Sequence, residues 1–346
     1  MIKRISIAAA LGAAIAIAGC GSSSSNSATS SRASASQTQT QTQTQSSATL
    51  PPAVNELAAA QKPSASQFPS AKGKSLQQLA TLVKSSAQLG AATGSFTPGT
   101  RRFAFALNAK SGAFIYAPTA IYIAKTPNSP AKGPFLAPAD PMTVPAADRS
   151  KQNTGPGGIQ AIYAAQVPIP KQGTWTLLSL TRTQSGLIGA PGQLAAAASS
   201  PIPGVGSRPP QIATETPASV HGNTALLTTR VPADDMHQVS FKDVLGKKPI
   251  ALLFSTPQLC ISRVCGPVTD IAVQLEHQFG SKIDFIHEEV YVDNQPSKGL
   301  RPQLKAFHLQ TEPWLFTVNR HGVIAARLEG SFGINAFRQA LEAALR

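Results

Sequence analysis

The feature that most restricts how this chain can fold is the stretch Ile250-Ala-Leu-Leu-Phe-Ser-Thr-Pro-Gln-Leu-Cys260-Ile-Ser-Arg-Val-Cys265-Gly-Pro-Val268. An unbroken apolar run, Ile250 to Phe254, reads as a buried strand. A short polar loop follows, then two cysteines, then Gly266-Pro267 and a helical pattern. Strand, cysteines and helix start in that order can build a thiol redox site. The reactive species is the thiolate, and the unpaired N–H groups and dipole of a helix N-terminus stabilise it. Pro267 suits the first turn of that helix, where a missing N–H costs nothing.

The C-x4-C spacing limits the geometry. Two helical residues five apart lie roughly 8–9 Å from each other at Cα, whereas a disulfide needs about 4.4–6.8 Å. Either Cys260 lies in the loop and folds back toward Cys265 at the helix start, or the two never bridge. Arg263, between them, is placed to favour either thiolate.

Length and charge set the wider frame. The chain has 346 residues, with 30 Lys and Arg against 16 Asp and Glu, a net charge of +14. Residues 1–200 carry 16 basic and 3 acidic residues, residues 201–346 carry 14 and 13. The asymmetry points the first half toward an anionic partner, headgroups or a surface polymer. No RNA- or DNA-binding motif accompanies the charge, and nucleic acid is not expected as a partner. All six histidines fall in the second half.

The N-terminus, Met1-Ile-Lys3-Arg4 followed by the apolar Ile5 to Ala18, reads as a signal peptide too short for an ordinary spanning helix. It ends Ile17-Ala18-Gly19-Cys20, which resembles the bacterial lipobox. That resemblance implies cleavage before Cys20, lipid attachment to its sulfur, and a membrane-anchored protein on the extracytoplasmic face. Cys260 and Cys265 are then the remaining thiols in an oxidising compartment, either a structural disulfide or a redox couple.

Residues 20–70 are rich in Ser, Thr, Gln, Ala and Pro, and read as a flexible tether. Leu76, Leu79, Leu82 and Val83 mark a helix capped by Ser75. Short strands are expected at 102–107, 113–117, 120–124, 159–169 and 173–182, suggesting an antiparallel β-sandwich within 71–188. Its architecture resembles small immunoglobulin-like modules. With only Asp140 and Asp148 as acids and no Cys or His in 95–185, it offers no catalytic machinery. A Gly/Pro/Ala-rich linker is expected at 189–211, and an α/β domain from 212 to the end.

In that domain the expected order is strand 250–254, helix to Phe279 with Gly280 as C-cap, strand 283–292, helix 300–309, strand 314–319, its hairpin partner 323–328, and a C-terminal helix carrying Ile334, Phe337, Leu341 and Leu345. This is βαβ, helix, ββα, with parallel strands first and an antiparallel hairpin last. The order, Cys265-Gly266-Pro267 and Thr311-Glu312-Pro313 before the third strand resemble the thioredoxin superfamily over about residues 235–346. The resemblance implies a cis Pro313 packed beside the dithiol, with backbone groups free to pair with a substrate peptide, and thiol–disulfide exchange on protein partners without a cofactor. Val268 stands where the family's second Cys would be, so two alignments remain open: Cys265 attacks and Cys260 resolves, or the reverse. Sco-type copper chaperones, with C-x3-C and a nearby His, are a more distant likeness, for which His308 would be the ligand. Peroxiredoxins resemble the chain at Thr256-Pro257-Gln258-Leu259-Cys260, but their Thr position is filled by Pro257. Glu288-Glu289 point to opposite faces of a strand and make no carboxylate pair. The sequence contains no zinc-ligand pattern.

Overall fold

The computed structural model describes residues 55–153 and 158–346, which belong to one compact unit. Cys20 and the lipobox-like segment lie outside these residues. Two short helices, α1 (Leu57–Ala60) and α2 (Leu76–Ala80), precede the first strands. Ser75 caps α2 as expected: its Oγ accepts from the Gln78 N–H and the Gln78 side chain accepts from the Ser75 N–H.

The β half consists of β1 (Ser85–Ser86), β2 (Gln88–Ala91), β3 (Gly99–Asn108), β4 (Thr119–Ala124), β5 (Lys132–Leu136), β6 (Ala139–Pro141), β7 (Ala161–Ile169), β8 (Gly173–Thr183) and β9 (Gly186–Ala196). They form two sheets, ordered β1-β9-β8-β4-β5 and β2-β3-β7-β6, antiparallel except for the β1–β9 pair. Period-2 alternation decides which residues face where. On β3, Phe103 and Phe105 enter the core between the sheets with Tyr163, Ile121 and Leu177, while Ala104 points to the other side. On β4, Ile121 and Ile123 join that core, while Ala120 and Tyr122 pack under Phe68, Leu76 and Leu79. Both faces of these strands are therefore covered.

Three expectations fail here. The tether expected over 20–70 does not reach Ser70: within the described residues Ala60 and Phe68 are buried, packed against the strands. Residues 113–117 form no regular strand, only isolated bridges from Phe114 to Asn108 and from Tyr116 to Asn55. A side chain supplements these backbone pairs: the Tyr163 hydroxyl serves the carbonyls of Ile115 and Ala117 and accepts from the Ala117 N–H. The expected linker at 189–211 also starts too early, because β9 runs to Ala196 and pairs with β8 along its whole length. Its small residues have a packing reason. A Cβ on Gly189 would lie 2.5 Å from Val83 Cγ2, so glycine lets the chain before β1 press onto the strand.

The second half contains α3 (Phe241–Val244), β10 (Ile250–Phe254), α4 (Cys265–Phe279), β11 (Asp284–Glu288), α5 (Pro302–Ala306), β12 (Trp314–Val318), β13 (Ile324–Glu329) and α6 (Ile334–Ala344). The sheet order is β11-β10-β12-β13, with β10–β11 parallel and the other pairs antiparallel. This is the βαβ, helix, ββα order read from the sequence. β10 is apolar throughout because both its faces are buried: Ala251 and Leu253 meet α4 and α6, while Ile250, Leu252 and Phe254 meet Phe241, Phe307 and Phe316. β11 is shorter than expected and ends at Glu288.

The two halves share a core. Ala104, Met142, Val144 and Ile162 of the β half belong to one apolar cluster with Leu253, Cys265, Ile271, Leu315 and Phe337. Buried polar groups fasten the seam. Asp140 accepts from the N–H groups of Gly333, Asn335 and Ala336 at 3.1, 2.9 and 2.9 Å, capping α6, whose own N-cap residue is a glycine. Asp270 on α4 receives the Ser150 N–H and hydroxyl, the Asn153 amide and the Arg230 guanidinium. Arg102, pushed down to about 10 by burial, donates to the carbonyls of Glu329 and Ser331. The isolated acid Asp140 thus holds the two halves together.

Candidate functional site

The site grows from the C-terminal end of β10. Ser255 leaves the strand, and residues 256–264 form the loop into α4. Tight turns shape it: the N–H groups of Leu259 and Cys260 both donate to the Thr256 carbonyl, and the Arg263 N–H donates to the Cys260 carbonyl. Arg263 adopts φ +57°, which lets the chain turn back into the helix. Cys260 is therefore in the loop and Cys265 is the first residue of α4, the folded-back arrangement of the two that the spacing allowed.

The two thiols sit in different surroundings. Cys265 is 0 % exposed, and Cys260, at 6 %, is the one nearer solvent. Cys260 is brought down to about 6, first by its interaction with the Cys265 side chain. Burial opposes the shift, while the Ser262 hydroxyl, 3.2 Å away, and the N–H groups of Cys265 and Val264 support it. Cys265 is raised well above the ordinary thiol value, first by burial and then by its interaction with Cys260. One sulfur is held as thiolate near neutral pH and the other as thiol.

Arg263 is not among the groups that lower Cys260, and its side chain is exposed. Gly266 has a packing duty: a Cβ there would lie 3.0 Å from Gln152 Cβ and 3.2 Å from the Gln152 carbonyl oxygen. Pro267 is buried in the first turn of α4. Pro313 is fully buried, its peptide bond with Glu312 is cis, and its carbonyl accepts from the Gly330 N–H.

Two residues at the site went unrecognised in the sequence. Glu312 is raised by burial and then by the negative charge of Cys260. Tyr291 is raised by burial, Glu312, Cys260 and Cys265 in that order. An acid directly before the candidate cis-proline was a usable signal for Glu312. Nothing in the sequence marked Tyr291. His308 is exposed and belongs to no cluster with the cysteines; among the described residues, the group spaced to hold a metal is Asp234, His237 and His287.

The loop is braced from behind. The Ser255 hydroxyl donates to the Cys265 carbonyl and pairs with the Thr269 hydroxyl at 2.9 Å. Glu289 accepts from the Thr229 N–H and hydroxyl, and the Thr229 hydroxyl in turn accepts from the Gln258 N–H. Glu288, pushed up to about 7 by burial, faces Arg301 on the other side of the strand. In front of the site lies a cleft of about 670 Å3. Ser262, Val264 and Glu312 form one wall, and Ala92, Phe114 and Ile159 of the β half form the other.

No protein-family model and no curated protein matches the sequence. Among solved structures, the chain is similar to a protein described as a thiol:disulfide interchange protein DsbE from Chlorobium tepidum, at 14 % identity and a TM-score of 0.30. That match covers 42 % of this chain and 99 % of the other. It is also similar to MTB dsbF, solved in mixed oxidized and reduced forms, at 15 % identity and a TM-score of 0.27, covering 39 % of this chain and 95 % of the other.

Proposed function

We propose that the chain is a membrane-anchored, extracytoplasmic thiol–disulfide oxidoreductase acting through Cys260 and Cys265. The observation that carries this reading is the placement of Cys265 as the first residue of α4 with Cys260 in the loop before it, the loop thiol lowered and the helix-start thiol raised. In the reducing direction, the Cys260 thiolate attacks one sulfur of a substrate disulfide. A mixed disulfide forms and one substrate thiolate leaves, taking up a proton. Cys265 then gives up its proton and attacks Cys260 Sγ, releasing the second substrate thiolate. The substrate gains two electrons and the pair becomes a disulfide. Glu312, whose charge acts on Cys265, would take its proton. Run backward, the same steps oxidise a dithiol, and the reduction potential sets the direction.

The surroundings support a protein substrate. Ile261, next to Cys260, is 94 % exposed and gives an approaching chain an apolar contact. The cleft beside Glu312 admits an extended segment. Gly266 and Pro267 shape the helix start, and the cis Pro313 leads into β12 beside β10, from whose end the cysteine loop departs. Cys20 would carry the lipid anchor. The two facing sheets of the β half fit an immunoglobulin-like module that acts as spacer and cleft wall.

A second reading stands on the charge asymmetry. With 16 basic and 3 acidic residues in the first 200, the chain suits an anionic headgroup or surface polymer, with the redox half silent. A Sco-like copper role would need a histidine beside the thiols.

The deciding experiment is insulin reduction by the full chain. Turnover that depends on both Cys260 and Cys265 supports the oxidoreductase. Full activity in both Cys→Ser variants overturns it, as does a pair whose potential is too low for either partner to be exchanged.

A further inference from the structure

The geometry points to a metal site: Asp234, His237 and His287 bind a divalent transition-metal ion of the zinc class. The site lies behind the redox loop and is independent of the proposed redox chemistry. His287 is on β11, and Asp234 and His237 lie on the irregular segment before α3. All three are buried, at 9, 3 and 0 % exposure for Asp234, His237 and His287. Asp234 Oδ1 is 3.1 Å from His237 Nε2 and 3.2 Å from His287 Nδ1, and the three ligating atoms lie within 4.8 Å of one another. An ion bound at about 2.0–2.2 Å to each nitrogen and oxygen fits such spacing.

Hydrogen-bond accounting carries the argument. His287 Nε2 is 3.1 Å from the Ser255 carbonyl, which can only accept, so this nitrogen bears the proton. His287 Nδ1 then faces the Asp234 carboxylate, which also only accepts, and a positive charge must lie between them. A second proton on the ring would satisfy His287. It would leave His237 Nε2 as it is: buried and 3.1 Å from Asp234 Oδ1, but off the line a hydrogen bond needs. One cation satisfies both imidazoles and the carboxylate.

The outer contacts have the form that orients metal ligands. The far ring nitrogen of His287 donates to a backbone carbonyl. The other oxygen of Asp234 accepts from the Thr228 hydroxyl at 2.7 Å, leaving Oδ1 for the ion. Two imidazoles and one carboxylate, with no sulfur, select borderline divalent ions such as Zn2+ or Co2+ and leave a fourth position open. The ion would fasten an extended stretch to the sheet. Between β9 and α3 the only regular element among the described residues is a short turn of helix at Thr224–Leu226. That stretch meets β11 where the His287 N–H donates to the Met236 carbonyl.

The test uses the full chain with Cys20, Cys260 and Cys265 all replaced by Ser, so that thiols do not compete. After chelation the protein is titrated with Co2+ and then Zn2+. One Co2+ per chain, a visible spectrum of tetrahedral nitrogen–oxygen type, its displacement by Zn2+, and a higher Tm with Zn2+ are expected. His237→Gln should weaken Zn2+ binding at least tenfold. No saturable binding of either ion at millimolar concentration overturns the site, and so does unchanged affinity in His237→Gln. If that variant does not fold, the ring 15N shifts of His237 and His287 in the parent decide: both move on Zn2+ addition, or the site is rejected.

Discussion

Cys265 is sealed at the first turn of α4 while Cys260 sits in the loop before it, nearer solvent, and this one-sided placement divides the roles of the pair. The ionised partner is the one nearer solvent and the protonated partner is sealed at the helix start. Cys265→Ser should therefore accumulate a mixed disulfide through Cys260, whereas Cys260→Ser should trap none and both should lose turnover. Non-reducing electrophoresis after incubation with a disulfide substrate reads the difference; trapping by the Cys260→Ser variant instead would reverse the assignment.

The same placement sets a pH dependence. Cys260 ionises at about 6, so its alkylation by iodoacetamide should rise with a midpoint near that pH and level off above it. Because the folded value lies below the ordinary one, the folded protein binds fewer protons, and stability rises with pH. The contribution is complete above the unfolded thiol's pKa, falls as pH drops toward 6, and is gone below it. The stability gap between the reduced parent and Cys260→Ser should widen from pH 6 to 9, by up to about 1.4 kcal/mol per pH unit. Urea midpoints at several pH values check it; a flat difference would contradict the assigned thiolate.

Gly330 should tolerate no side chain. It has φ +66°, and a Cβ there would lie 1.5 Å from the Ala92 carbonyl oxygen, where the β half crosses the strand behind Pro313. Gly330→Ala should cost about 3 kcal/mol or more. Gly266→Ala, whose Cβ would approach Gln152 only to 3.0 Å, should cost less, about 1–2 kcal/mol. Denaturant titration of the two variants ranks them.

Asp270→Ala should destabilise by about 3–5 kcal/mol, because it strands the buried Arg230 guanidinium and the Ser150 and Asn153 donors. Adding Arg230→Met should recover part of the loss, since the unpaired charge is then gone. A double variant less stable than Asp270→Ala would show that Arg230 is held by its bonds to the Asp148 and Pro232 carbonyls instead.

What could be read in the sequence was local. The run Ile250–Phe254 and the apolar spacing from Val268 to Leu275 are short-range patterns, and both became the elements expected. The two cysteines announced a site, although their order of action needed the fold. Hidden features were those that depend on distant partners. Asp270 meets Ser150 across 120 residues and Asp140 meets Ala336 across 196, so neither acid showed its role. β9 looked like a linker because its glycines are there for Val83 and Leu89, which approach from another part of the chain. Asp234 and His237 were one turn apart in plain view, but His287 joins them only in space.

The cap that Asp140 places on α6 bears on how this protein can be dissected or can evolve. A gene fragment encoding only the C-terminal half would yield a last helix with three bare amide donors and an apolar flank stripped of Met142 and Val144. Excision of the sheets would thus damage the half that carries Cys260 and Cys265, and the two parts stand or fall together.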